Sequence, residues 1–340
     1  MEMKRYVINS LLVMTSLFAL VILKSCSKEE EFEGPSLIDL YGEFSVLEEF
    51  AVSDAEVDFA SGETTYFTAQ FSKNVNWTLT ITGNISGAQK VITGFSNALN
   101  SQNARWNGTT TALPMFGVEE CTATLSIENE PESFSLALST LTSRVYPGLL
   151  LADFEDGFPE GWTTFVQSGA NMSFVVSDEE PAGQGNQYYD MGGTVNWDYL
   201  IGLVDIPGEV YNSEPTFPLS SNPDNVYFNV LLYNPPAITN AITLFQFRED
   251  DNGDGVYSNN EDMWSIEVTG LEEGWHKVAQ QYDEIPTLVN GAPSNPLGNG
   301  LHEPNKLLKL SVLFLANPTS GYSQTYMDFL IFTENAELQP

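Results

Sequence analysis

Short segments of alternating hydrophobic and polar residues begin after residue 45 and continue to the C-terminus. They end at Gly, Asn, Ser or Pro and include TTYFTAQF, NWTLTIT, QKVITGF, TATLSIE and SFSLALSTL. A period of two places successive side chains on opposite faces of an extended strand. No segment has the 3.6-residue period of a long amphipathic helix. The pattern predicts an all-β protein made of β-sandwiches.

One inter-strand connection carries a metal-binding pattern. The stretch DDNGDGVYSNNE, residues 250–261, matches the calcium-loop template position by position, with Gly255 at the sharp turn. Alternating flanks, including Trp264 and Ile266, predict strands on both sides, so the loop is expected at a hairpin tip with a structural calcium ion. The alternative is an acidic, solvated turn without metal. The predicted ligands are Asp250, Asn252, Asp254, the backbone carbonyl of Val256, and Glu261.

The N-terminus predicts export and attachment to a membrane. Lys4 and Arg5 precede the apolar run YVINSLLVMTSLFALVIL, which ends at LKSC. This ending resembles a bacterial lipobox, which implies removal of residues 1–25 and lipidation of Cys26. The following SKEEEFEG resembles the export signal of Bacteroidota lipoproteins, implying an outer-membrane protein that faces the cell exterior. An uncleaved apolar anchor is the alternative.

Composition narrows the range of partners. The chain has 46 acidic and 12 basic residues and a formal net charge of −34, which excludes nucleic acid because phosphate binding needs a basic face. Attachment to the membrane must therefore come from the lipid alone. The two cysteines are Cys26 and Cys121, so no disulfide framework is expected and Cys121 is predicted to be buried.

Two family resemblances organise the rest of the chain. NVNWTLTITG and RWNGTTTALPMFGVEECTATLSIEN resemble small immunoglobulin-like modules of Bacteroidota surface proteins, which implies a spacer domain. DFEDG, GWHKVAQQY and YMDFLIF resemble strands of galactose-binding-like jelly-roll carbohydrate-binding modules, with a boundary near RVYPGLLL. The predicted organisation is a signal peptide at 1–25, an acidic linker at 26–45, an immunoglobulin-like β-sandwich at 46–147 and a β-jelly roll at 148–340.

The jelly-roll resemblance also implies a second calcium site. In that family, carboxylates near the first strand and on the last strand commonly share a structural ion, which here nominates Asp153, Glu155 and Asp328. They could equally be ordinary exposed acids at strand ends. The overall layout resembles surface glycan-binding lipoproteins, which implies association with an outer-membrane glycan importer complex.

Catalytic constellations are missing from the sequence. The two histidines, His276 and His302, are not in an HExxH motif. Neither cysteine has sequence surroundings typical of a catalytic nucleophile. Paired carboxylates could serve a glycosidase, but in so acidic a chain such pairs carry no information. The sequence therefore favours a binding protein over an enzyme.

A protein that binds sugar needs exposed aromatic rings for the apolar face of a pyranose and, beside them, side chains that hydrogen-bond its hydroxyl groups. NQYYDMGGTVNWDYLIG supplies both, and Gly192 and Gly193 are predicted to form a turn that exposes the residues after them. The function predicted is capture of extracellular polysaccharide or oligosaccharide, and the rival is a structural or adhesive lipoprotein with a protein partner. The predicted glycan-binding residues are Trp197, Tyr199, Asn196 and Asp198, with Tyr188, Tyr189, Tyr257 and Tyr322 as weaker candidates.

Overall fold

The computed structural model describes residues 42–179, 181–195, 199–317 and 321–340. Strands dominate this part of the chain, and its helical segments are short 3-10 turns, which confirms the predicted all-β class. No helix within these residues combines the length and hydrophobicity of a membrane crossing. The 3-10 turns are Phe59–Ser61, Gly208–Val210, Pro223–Asn225, Tyr282–Glu284 and Pro304–Lys306.

The strands form two sheet systems, the first built from β1–β7 and the second from β8–β16, β19 and β20, while β17 and β18 form a separate two-stranded hairpin. They are β1 (Val46–Val52), β2 (Glu56–Asp58), β3 (Thr65–Gly83), β4 (Gln89–Leu99), β5 (Arg105–Trp106), β6 (Glu120–Ile127), β7 (Ser133–Thr142), β8 (Leu149–Ala152), β9 (Thr163–Val166), β10 (Asn171–Ser177), β11 (Tyr188–Thr194), β12 (Leu200–Pro207), β13 (Val226–Asn234), β14 (Ala241–Glu249), β15 (Met263–Thr269), β16 (Gly274–Gln281), β17 (Leu288–Val289), β18 (Ala292–Pro293), β19 (Leu307–Ala316) and β20 (Tyr322–Glu334).

The N-terminal sheet is organised by its longest strand. β3 has 19 residues and pairs with β1 and β5 near its start and with β4 and β6 further along. Its side chains alternate between buried and partly exposed, as the period of two in the sequence predicts. Trp77 and Trp106 are buried in this part of the chain, as is the free thiol of Cys121. Burial, with the charge of Glu119, raises the pKa of that thiol to about 12.

Two antiparallel sheets form the second system, a jelly-roll sandwich. The front sheet has the order β10-β11-β20-β13-β16, with β8 also paired to β20, and the back sheet has the order β15-β14-β19-β12-β9. Side chains from both inner faces form one core. The ring of Phe228 on the front sheet lies 5.0 Å from that of Phe245 and 5.1 Å from that of Phe247 on the back sheet. Trp162 follows a glycine at a predicted strand start, and Trp264 alternates with Ile266 and Val268, so the sequence predicts that both face the core. Both are buried.

The loop between β5 and β6 packs against the outer face of the front sheet. Residues Val46–Pro340 form one compact unit, and the backbone N–H of Met115 in this loop donates to the carbonyl of Gly183 at 2.8 Å. A small core at this contact consists of Met115, Leu231, Phe329, Ile331 and Leu338.

The predicted boundary near 147 falls between β7, which ends at Thr142, and β8, which begins at Leu149. The division into a spacer and a binding module stays a prediction.

Candidate functional site

The outer face of the front sheet is covered at one end and open at the other. Leu231, Phe329 and Ile331 point outward but are buried, because they belong to the small core shared with the N-terminal part of the chain. At the far end, β10, β11 and β20 lie side by side. A surface there combines a regular sheet with free access from solvent.

Strand register determines which side chains share this surface. Thr194 on β11 is paired with Asn171 on β10 and with Tyr322 on β20, and Gly192 is paired with Gln324. Positions two residues apart on one strand face the same side. We call this surface the open face, and its side chains belong to Asn171, Ser173, Val175, Asp190, Thr194, Tyr322 and Gln324.

Tyr322 provides the exposed aromatic ring of the open face. Its side chain is 51% exposed. A Cβ atom placed on Gly192 would lie 2.6 Å from the Tyr322 hydroxyl oxygen and 3.5 Å from Cγ of Gln324. The ring therefore leans across the strand pair over Gly192, where the missing side chain leaves room for it. The exposed part of the side chain is available to a ligand.

A carboxylate and an amide lie beside that ring. Nε2 of Gln324 donates to Oδ1 of Asp190 at 3.0 Å and to Oδ2 at 2.9 Å. Burial raises the pKa of Asp190, the Gln324 hydrogen bond lowers it, and the charge of Glu179 raises it further. The pair fixes both side chains and still offers carboxylate and amide oxygens as acceptors for hydroxyl groups.

A row of aromatic rings continues from the open face toward β16. The rings of Tyr326 and Tyr233 are parallel to within 3°, with centroids 5.1 Å apart. Trp275 lies 5.3 Å from Tyr233, and its indole N–H donates to the carbonyl of Pro181 at 2.9 Å. Tyr326 is only 8% exposed. These rings support the sheet surface beside Tyr322 by packing against one another.

Of the four sequence-predicted glycan-binding residues, Tyr199 lies in the described part of the chain. Asn196, Trp197 and Asp198 lie outside the described residues. Tyr199 is 54% exposed, and its carbonyl accepts from the backbone N–H of Ala316 at 3.0 Å. Thr194, on the other side of the segment, is part of the open face itself.

The predicted turn at Gly192 and Gly193 is wrong. Both residues lie inside β11, where they pair with β10 and β20. A Cβ atom on Gly193 would lie 2.2 Å from the carbonyl oxygen of Asn171, so this glycine permits close strand approach.

The four weaker tyrosine candidates differ in burial and in position. Tyr188 and Tyr189 are buried and cannot offer a ring face to a ligand. Tyr257 lies in the 250–261 loop beneath the guanidinium of Arg248, 5.6 Å from the ring centroid. Only Tyr322, among these four, is exposed on the open face.

The 250–261 loop adopts a conformation organised by its own side chains. Asp250 is 5% exposed, and its Oδ1 accepts from Gly253 N at 2.7 Å and Asp254 N at 3.1 Å. Its Oδ2 accepts from Gly255 N at 2.8 Å. Oδ1 of Asp254 accepts from Val256 N at 2.9 Å. The backbone thus folds around Asp250, as a calcium loop requires.

Glu261 closes the same loop from its far end. It is 1% exposed, and its Oε1 accepts from Asn252 N at 3.2 Å. Carboxylates at both ends of the loop and side-chain oxygens between them are the donor set that calcium prefers. The carboxylates of Asp250, Asp254 and Glu261 do not all lie within 4.8 Å of one another, so the bound ion stays a prediction.

The loop lies far from the open face. It joins the end of β14 to the start of β15. At that end of β14, Glu249 pairs with Leu307 on β19, whereas at the other end Ala241 pairs with Ala316. The connection from Ala316 leads to Tyr322 on the open face. An ion in the loop would therefore sit at the opposite end of the sandwich and stabilise the fold without touching a ligand on the open face.

The second predicted metal set surrounds a turn before β11. Asp328 is fully buried and accepts from Gln184 N at 2.7 Å, and Oε1 of Glu155 accepts from Asn186 N at 2.7 Å. Burial raises the pKa of Asp328 strongly, and the charges of Glu155 and Asp153 raise it further. The side-chain oxygen of Gln184 is buried without a hydrogen-bond partner. The three acids share one region, but their ligand atoms do not all lie within 4.8 Å of one another, so the shared ion stays a prediction.

Comparison with known proteins gives structural but no sequence matches. No family model matches the chain, and no curated protein matches it in sequence. Among solved structures, it is similar to the family 11 carbohydrate-binding module of Clostridium thermocellum, solved with a β-1,3-1,4-mixed-linked tetrasaccharide, with 12% identity over 56% of this chain and 97% of that one and a TM-score of 0.39. The CBM22-1 xylan-binding domain from Paenibacillus barcinonensis has 16% identity over 57% of this chain and 99% of that one, with a TM-score of 0.32.

A third solved structure covers more of the chain. It is a carbohydrate-binding module of the β-sandwich superfamily, with 13% identity over 86% of this chain and 99% of that one and a TM-score of 0.37. All three of these structures are carbohydrate-binding modules or domains by their own descriptions.

Proposed function

We propose that the protein binds extracellular polysaccharide or oligosaccharide on the open face and does so without catalysis. The observation that carries this proposal is the exposed ring of Tyr322, which lies over Gly192 beside the hydrogen-bonded pair of Asp190 and Gln324. A pyranose ring presents an apolar face for stacking and hydroxyl groups at its edge for hydrogen bonds. The open face offers both kinds of partner at one place.

Charge indicates the class of glycan. The chain carries a formal net charge of −34, and Asp190 stands on the open face itself. A neutral or weakly charged polysaccharide meets no repulsion there, whereas a sulfated one does. The sequence-predicted residues Trp197 and Tyr199 remain candidates for further contacts with the sugar.

The attachment and the ion complete the proposal. Lipidation at Cys26 would hold the protein on the outer membrane, facing the exterior, where it would present glycan to an importer complex. Calcium in the 250–261 loop would act as a structural ion, since the loop lies at the opposite end of the sandwich from the open face.

Replacing Tyr322 by alanine should weaken glycan binding by about ten- to a hundred-fold, because a stacked ring contributes on the order of 1 to 3 kcal/mol. Binding is measured by affinity electrophoresis or calorimetry on the polysaccharide that residues 27–340 select from a broad array. Phe165→Ala is the matched control, since this ring is 48% exposed but lies on the back sheet. Both variants should keep the melting temperature of the wild type.

Gly192→Ala tests the position of the Tyr322 side chain rather than its presence. The added Cβ would displace the Tyr322 hydroxyl, so affinity should fall although every aromatic is retained. Trp197→Ala and Tyr199→Ala test the contribution of the segment that the sequence predicts to bind glycan.

A wild-type protein that binds no polysaccharide on the array would overturn the proposal and favour an adhesive or structural role with a protein partner.

Cys26→Ala should abolish lipid labelling and move the protein from the membrane fraction to the soluble fraction. The reason is that the acidic mature chain has no basic surface for anionic lipid. Labelling with a palmitate analogue followed by fractionation measures both effects, and Cys121→Ala is the control. A Cys26→Ala chain that stays labelled and membrane-bound would contradict the lipoprotein assignment.

A further inference from the structure

A separate group of carboxylates lies beside the 250–261 loop. Within the described part of the chain, Glu249, Asp251 and Asp262 are the set of three acidic side chains whose ligand atoms all lie within 4.8 Å of one another. None of them occupies a ligand position of the calcium-loop template. Glu249 ends β14 and Asp262 immediately precedes β15, so the group gathers at the base of the hairpin.

The group is too buried to be an ordinary solvated acidic cluster. Glu249 and Asp262 have no exposed surface. Carboxylates this close repel one another strongly where water is excluded. The ammonium of Lys306 lies in the same region but is held by Glu303 at 2.9 Å. The negative charge of the group is therefore not balanced by an ion pair of its own.

The carboxylate of Glu249 supplies an independent sign of a missing ligand. Its Oε1 accepts from the Tyr282 hydroxyl at 2.9 Å and from Glu303 N at 2.8 Å, while its Oε2 is buried with no hydrogen bond. The indole N–H of Trp264 lies near this carboxylate but does not reach hydrogen-bond geometry. A buried carboxylate oxygen without a partner is costly, and such oxygens normally face a donor or a cation.

A glycine loop holds the other two carboxylates in place. Gly298 N donates to Oδ1 of Asp262 at 2.7 Å, and Gly300 N donates to its Oδ2 at 2.6 Å. Asn299 N donates to Oδ2 of Asp251 at 3.2 Å. A Cβ atom on Gly298 would lie 2.8 Å from Cγ of Asp262, so a side chain there would press on the group. The loop orients the carboxylates and leaves further lone pairs on each oxygen.

We propose that Glu249, Asp251 and Asp262 bind a hard divalent cation of the calcium class, separate from the ion of the 250–261 loop. An all-carboxylate donor set matches such a cation and not the softer transition metals. The ion would join the end of β14, the start of β15 and the 298–300 loop. It stabilises the base of the hairpin, whereas the loop ion stabilises its tip.

Counting bound ions tests this site directly. Protein stripped with chelator and returned to CaCl2 is examined by native mass spectrometry. Asp251→Asn should bind one ion fewer than the wild type, Asp254→Ala should also bind one fewer, and the double variant two fewer. Glu267→Gln, an exposed acid on β15, is the control and should bind as many ions as the wild type. An Asp251→Asn count equal to that of the wild type overturns the proposal, as does a double variant that loses no more ions than Asp254→Ala alone.

Glu249→Gln gives a second test, because its melting temperature should change in opposite directions with and without calcium. It removes a buried charge, so in chelator the variant should melt at or above the wild-type temperature. At saturating calcium it should melt below the wild type, because a ligand is lost. A variant that melts at or above the wild type under both conditions shows that no cation binds there. Neither test involves glycan, so the two proposals fail or succeed separately.

Discussion

Phe228→Ala lowers the free energy of unfolding by about 3 to 5 kcal/mol, the range for truncating a buried aromatic side chain. Phe228 has no exposed surface and lies at the centre of the sandwich core. Its ring contacts Phe245 and Phe247 on the back sheet and Phe332 on the front sheet, at centroid distances of 5.0, 5.1 and 5.5 Å. Removing it leaves a cavity that both sheets border, and neither sheet can close it alone.

Chemical denaturation in calcium measures this loss, and the melting temperature should fall by roughly 10 °C. Phe165→Ala is the matched control, since that ring is 48% exposed and its removal should change stability by less than about 0.5 kcal/mol. Equal losses in the two variants would show that Phe228 is not part of a closely packed core.

Asp250→Ala has the second largest expected effect, about 3 kcal/mol in the presence of calcium. The carboxylate accepts from the N–H groups of Gly253, Asp254 and Gly255, and it is almost fully buried. Their loss costs about 1 to 3 kcal/mol. Loss of the loop ion removes about 1.4 kcal/mol more when calcium stands at ten times its dissociation constant.

Thermal melts with calcium and with chelator separate the two contributions. Asp250→Ala should melt below the wild type under both conditions, with a larger difference in calcium. Asp254 accepts one backbone hydrogen bond, from Val256 N, so the loss of stability in Asp254→Ala should appear mainly in calcium. Asp224→Ala, an exposed acid elsewhere, is the control. If the two loop variants differ from the wild type equally with and without calcium, the loop holds no ion.

Strand-forming segments and the folded loop at 250–261 were predictable because their signals are local. A period of two and a fixed spacing of oxygen ligands are both complete within a few residues. The burial of Trp264 followed from its alternation with Ile266, and the structure confirms it. The loop conformation likewise depends on Asp250 and the residues directly after it.

The candidate ligand surface was only partly predictable. Tyr322 appeared in the sequence as one of several weaker tyrosines, with nothing to separate it from buried Tyr188. What separates them is the register of β11 on β20, which places Tyr322 at the open end and Tyr188 beside the covered end. The same register explains why Gly192 and Gly193 are not a turn. Their lack of side chains serves the approach of a neighbouring ring and strand.

By itself, the sequence determined the all-β class, the inward-facing tryptophans and the hairpin loop with its calcium-type spacing, because each depends on neighbours along the chain. Only the tertiary structure decided which side chains meet. Asp190 and Gln324 are 134 residues apart and share two hydrogen bonds. Asp251 and Asn299 are 48 residues apart and help to form the carboxylate group. Such contacts depend on which strands pair and in what register, and the alternation within a single strand carries no information about its partner.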